Sequence, residues 1–118
     1  MLNKLSKEAL KEAKRRGKIN KKTSIKDVLN HLKGEVAELE RAIDVKEQHP
    51  DHYSYTCRIM TDVGKSIDSE IYEEVFKNSI GDEIADVIIT ALTLSKVCKI
   101  DVDWYVKNKM KYNKERKD

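Results

Sequence analysis

Acidic residues stand inside an apolar stretch of this chain, Gly81 to Lys99, GDEIADVIITALTLSKVCK. Ile84, Val87, Ile88, Ala91, Leu92, Leu94 and Cys98 recur there at steps of three and four, the period of a helix with a wide buried face. On the same helix Glu83 and Asp86 are three apart and project side by side next to that stripe, with Asp82 one step around the surface. Two carboxylates are thus carried toward a core, and carboxylates in a core require a chemical reason.

A second pair lies upstream. In Val28 to Ile43, VLNHLKGEVAELERAI, the residues Val28, Leu32, Val36, Leu39 and Ile43 make one apolar stripe flanked by Glu35 and Glu38. If the two helices pack through these stripes, about four negative charges meet in one low-dielectric groove. Carboxylates crowded in this way take up protons or bind a cation, and an all-oxygen ligand set suits hard divalent ions such as Mg²⁺ or Mn²⁺. Each pair taken alone reads as an ordinary solvated helix face.

The remaining composition narrows the class. A chain of 118 residues with one proline, four glycines and 38% charged residues predicts a single all-α domain, residues 1–118. No apolar run approaches the roughly 20 residues that cross a bilayer. The opening MLNKLSKEALKEAKRR lacks a signal-peptide core, so a cytoplasmic location is expected. Cys57 and Cys98 are isolated thiols without CxxC spacing, which fits a reducing compartment. The net charge of +3 is unevenly spread: residues 1–22 carry +7, 23–95 carry −8 and 96–118 carry +4. Basic ends around an acidic centre suit nucleic acid, or equally a metal-bound polyphosphate.

Taken in order, Leu2 to Arg16 predicts a first helix stopped by Gly17, and Ser24 with Asp27 marks the start of a second that runs to about Gln48. Pro50 ends it. His49 and His52 read as turn residues rather than metal ligands. Residues 51–68, which include Gly64, show no sustained period and read as a long loop. Ser69 is expected to cap a third helix continuing unbroken through Gly81, and Asp101 to cap a last helix in which Trp104 packs into the core. On that helix Lys109, Tyr112, Asn113 and Arg116 share one face. Together they supply positive charge for phosphate and hydrogen-bonding groups for a base or sugar.

The ordered set Glu35-Val-Ala-Glu38-Leu, Asp82-Glu83-Ile-Ala-Asp86-Val and KMKYNKER from Lys109 to Arg116 resembles the MazG-like, all-α nucleotide pyrophosphohydrolases over the whole chain. The phrases LSKEALKEAKRRGK, FKNSIGDEIADVIITALTL and KIDVDWYVKNKMKYN also look like MazG-like proteins with a longer loop between the acidic pairs. The resemblance implies a bundle of about four helices that hydrolyses nucleoside triphosphates between the α and β phosphates, releasing monophosphate and pyrophosphate. It implies Mg²⁺, with Mn²⁺ as a substitute, on Glu35, Glu38, Glu83 and Asp86. It further implies substrate contacts from Lys109, Tyr112, Asn113 and Arg116, and assembly as a homo-dimer or homo-tetramer. The chain departs from the compact members in placing 44 residues between Glu38 and Glu83, and the basic tail that relatives carry beyond Arg116 is not expected.

The inventory suggests no Ser/His/Asp or Cys/His nucleophile system and no glycine-rich phosphate loop, so the acids would bind metal that polarises the phosphoryl group and activates a water. Glu38 is the candidate catalytic base. A di-iron bundle uses Glu-x-x-His, whereas positions 38 and 86 hold Glu and Asp, which favours Mg²⁺. The alternative is a non-catalytic helical module that binds nucleic acid or regulates, although nucleic acid is the less expected partner.

Overall fold

The computed structural model of the chain describes residues 1–48 and 68–117, and within them every element is helical and no strand forms. The order is α1 (Leu2–Arg15), α2 (Ile25–Gln48), a short α3 (Ser69–Ile71) running into a π-helical turn (Tyr72–Phe76), α4 (Ile80–Val97) and α5 (Val102–Glu115). His49, Pro50, His52, Cys57, Gly64 and the expected loop, apart from Asp68, lie outside the described residues. Among the described residues, no helix is long and apolar enough to cross a membrane.

The helix ends follow their local chemistry. Gly17 takes a left-handed φ of 74° just past α1, and the Lys18 N–H returns to the Ala13 carbonyl, closing the orphan carbonyls of the last turn. Before α2, Ser24 and Asp27 form a reciprocal box: Asp27 N–H donates to Ser24 Oγ at 3.0 Å and Ser24 N–H to the Asp27 carboxylate at 2.9 Å. Asp101 caps α5 by accepting the Trp104 N–H at 3.1 Å.

The third helix departs from expectation. Its cap is Asp68, which accepts the Ile71 N–H at 2.9 Å, and not Ser69. Nor does it run unbroken into Gly81. The chain leaves helical geometry at Lys77 and passes through Asn78 with φ 68°, a left-handed conformation that Asn tolerates better than most residues. Ser79 then restarts the helix by accepting the Asp82 N–H on its hydroxyl at 3.2 Å.

The contacts fall into two compact units. One comprises Met1–Leu32 with Ile88–Asp118, in which α1 and α5 meet at their first turns. The other is Lys33–Val87, which holds the later turns of α2, the π-helical turn with buried Phe76, and the start of α4.

Along α2 and α4 the buried lines are displaced from the apolar stripes. On α2 the least exposed positions step through Val28, Leu32, Glu35, Leu39 and Ala42, so Glu35 and Ala42 take the places expected for Val36 and Ile43, which are exposed. On α4 the line runs Glu83, Asp86 and Val87, Thr90, Thr93 and Leu94, with Leu92 also buried, while Ile84, Ile88 and Ala91 face out. The buried Thr93 hydroxyl is satisfied within the helix by donating to the Ile89 carbonyl at 2.9 Å. Trp104, expected in the core, is 56% exposed. Only the first turn of α5 is partly covered, and Trp104 lies edge-on against Tyr105 with ring centroids 5.0 Å apart.

Candidate metal centre

The displaced lines bring carboxylates together. Glu35 and Glu38 lie one turn apart on α2, Glu83 and Asp86 one turn apart on α4, and one carboxylate oxygen from each of the four lies within 4.8 Å of the others. All four belong to the unit Lys33–Val87. The two acidic pairs therefore face each other, although the helices do not pack through the expected apolar stripes.

The four differ in environment. Glu83 is 5% exposed, Glu35 and Asp86 are half-buried, and Glu38 is open to solvent. Glu38 also has Arg41 one turn along, at 3.9 Å. Glu83 Oε2 is buried and has no hydrogen-bond partner among the described residues. Burial first, then the charges of Glu38, Asp82, Asp86 and Glu35, push the Glu83 carboxyl above the usual carboxylate range. A buried, unpartnered carboxylate oxygen facing three further acids is a set of hard oxygen donors with capacity for a divalent cation.

Asp82 stands beside this group and serves another end. Its Oδ1 accepts the Tyr72 hydroxyl at 2.6 Å and its Oδ2 accepts the Asn78 N–H at 2.8 Å. Burial, reinforced by the hydrogen bond to Asp82, pushes the Tyr72 phenol up to about 12, so at neutral pH it remains a donor. Tyr72 and Asp82 were not singled out from the sequence as a pair, although Ser79-x-x-Asp82 is a helix-start signature that would have placed the break and tied down Asp82.

The basic stripe on α5 lies in the other unit and holds together locally. Lys109 Nζ sits 4.6 Å from the centre of the Tyr112 ring, and the Arg116 guanidinium 5.8 Å from it. Asn113 is exposed on the same helix. Two of the four expected substrate-binding residues thus flank the ring of a third. Comparisons with protein-family models, curated proteins and solved structures found no match.

Proposed function

We propose that the chain is a Mg²⁺-dependent nucleoside triphosphate pyrophosphohydrolase of MazG-like type, converting a ribo- or deoxyribonucleoside triphosphate and water to the monophosphate and pyrophosphate. The observation that carries this reading is the convergence of Glu35, Glu38, Glu83 and Asp86 to within 4.8 Å, with the buried Glu83 oxygen lacking a partner. When bound there, a divalent cation supplies a Lewis acid for a phosphoryl oxygen. Mn²⁺ substitutes for Mg²⁺ on the same oxygens.

The residues divide the remaining work by environment. Glu35, Glu38, Glu83 and Asp86 would hold the cation, with Glu83, Glu35 and Asp86 the more withdrawn from water. Glu38, the solvent-open member, meets the attacking water and takes its proton. Lys109 and Arg116 offset charge on the phosphates, and Tyr112 and Asn113 contact the base or sugar. The exposed isoleucines of α4 and the exposed aromatics of α5 suit burial against further copies of the chain, as a homo-dimer or homo-tetramer.

A pyrophosphate-release screen across the common ribo- and deoxyribonucleoside triphosphates with Mg²⁺ tests the proposal. Release from at least one of them, abolished by Glu38→Gln and by chelator, is the expected result. Absence of release from all, together with Mg²⁺-independent binding to nucleic acid that survives Glu35→Gln, would replace the enzyme reading with that of a binding module.

A further inference from the structure

The carboxylate of Asp82 is held at both oxygens by groups from the chain segment just before it. Tyr72 opens the π-helical turn, and its carbonyl accepts the Lys77 N–H at 3.0 Å. Its ring packs against buried Phe76 with centroids 5.7 Å apart, and its hydroxyl reaches Asp82 at 2.6 Å. Asn78, in left-handed geometry, presents its N–H to the other oxygen of Asp82. Within the same few residues Ser79 binds both the Asp82 N–H, through its hydroxyl, and the Glu83 N–H, through its carbonyl at 3.0 Å.

These bonds fix where α4 begins. Successive helical side chains are rotated by about 100°, so a first turn that unwinds would move Glu83 off the line it shares with Asp86. With the start held at Ser79, Glu83 and Asp86 take the buried line and Ile84 faces out. Asp82, with both oxygens engaged and its charge at a helix N-terminus where negative charge is favourable, is held back from the cluster beside it.

We infer that Tyr72 and Asp82 form a brace that positions Glu83 for the divalent cation, making Tyr72 a positioning residue for the metal centre. The inference rests on the metal-binding reading of the four acids. Tyr72 acts through Asp82, one step beyond the ligands; loss of partners bonded directly to ligands weakens metal affinity by roughly 10- to 100-fold, so an effect at the low end of that range is expected here.

The test is a Mn²⁺ titration of the full chain, with free and bound ion distinguished by electron paramagnetic resonance. Tyr72→Phe keeps the ring on Phe76 and deletes only the hydroxyl. It should weaken Mn²⁺ binding on the order of tenfold and alter the spectrum of the bound ion, with the melting temperature in chelator close to that of the wild type. Asp82→Asn should do the same, and the double variant should lose no more than either single one. Tyr105→Phe, on α5, should change nothing. Wild-type affinity and spectrum in Tyr72→Phe, or additive losses in the double variant, would overturn the brace while leaving the metal centre intact. A wild-type protein that binds no Mn²⁺ would overturn both.

Discussion

Asn3 and Asp103 cap each other's helices. Asp103, in the first turn of α5, accepts the backbone N–H groups of Leu2 at 2.8 Å and Asn3 at 2.9 Å, while the Asn3 side-chain oxygen accepts the Val102 N–H at 2.9 Å. The Asn3 amide also donates to Asp101 at 2.7 Å. Two helix starts far apart in sequence thus satisfy each other's orphan N–H groups, and each places a carboxylate or amide oxygen where the helix dipole favours it.

An acid-side pH dependence follows. The backbone N–H of Asn3 first, then that of Leu2, holds the Asp103 carboxyl below its ordinary value near 3.8. A depressed folded-state value means that its contribution to stability is present above about 3.8 and is lost as pH falls through the lower folded value. Urea melts of wild type and Asp103→Ala should therefore differ at neutral pH, and the gap should close progressively as pH drops below that value. A constant gap across the range would show that Asp103 acts by packing alone.

The exposed apolar face of α4 predicts self-association. Ile84 and Ile88 are 43% and 51% exposed and follow one another by one turn, in line with the outward-facing Ala91. A contiguous apolar strip of this kind is costly to leave in water. Sedimentation at micromolar concentration should show an oligomer, and Ile88→Asp should shift it to monomer. A stable wild-type monomer with full activity would refute the oligomer.

The α5 stripe predicts a split between binding and turnover. Lys109→Ala and Arg116→Ala should each raise KM on the order of tenfold, since a hydrogen bond to a charged group contributes about 1.5–3 kcal/mol, with kcat much less affected. Lys114→Ala, on the same helix but outside the group around Tyr112, should leave KM unchanged. Equal effects at Lys109 and Lys114 would reduce the stripe to a charged surface.

Much of this was legible where the signal is local. Gly17, the Ser24 and Asp27 box and the Asp101 cap each depend on bonds within one turn, and the paired acids at three-residue spacing fix their own adjacency. What was not legible depends on helix rotation. Apolar patterning placed Val36, Ile43 and Ile84 inward, yet Glu35, Ala42 and Glu83 hold those positions, because a helix apolar on two sides does not reveal in its sequence which side meets its own chain. Trp104 was misplaced for a different reason: α5 is partly covered only in its first turn, which leaves the Trp104 ring in the open. The break at Asn78 was missed because helix propensity on both sides outweighed a single left-handed residue.

The four acids carry opposite predictions with and without metal. Glu83 is raised above its ordinary value near 4.5 by burial and by the neighbouring acids, so the folded state retains its proton more tightly than the unfolded chain does. By linkage, the associated stability is fully present below about 4.5 and is lost as pH rises through the folded value. At neutral pH in chelator, Glu83→Gln should therefore melt at or above the wild type, and this advantage should vanish on the acid side of that window. Asp86→Asn, which removes one of the charges facing Glu83, should likewise not lower the melt in chelator. With Mg²⁺ or Mn²⁺ the order should reverse. A ligand at a hundredfold excess over its dissociation constant stabilises the folded state by about 2.7 kcal/mol, a gain that the wild type receives and both variants forfeit. Thermal melts of the three proteins, with metal and with chelator, decide the matter. If both variants melt lower in chelator and no protein responds to metal, the four carboxylates are ordinary helix acids and the catalytic proposal falls with them.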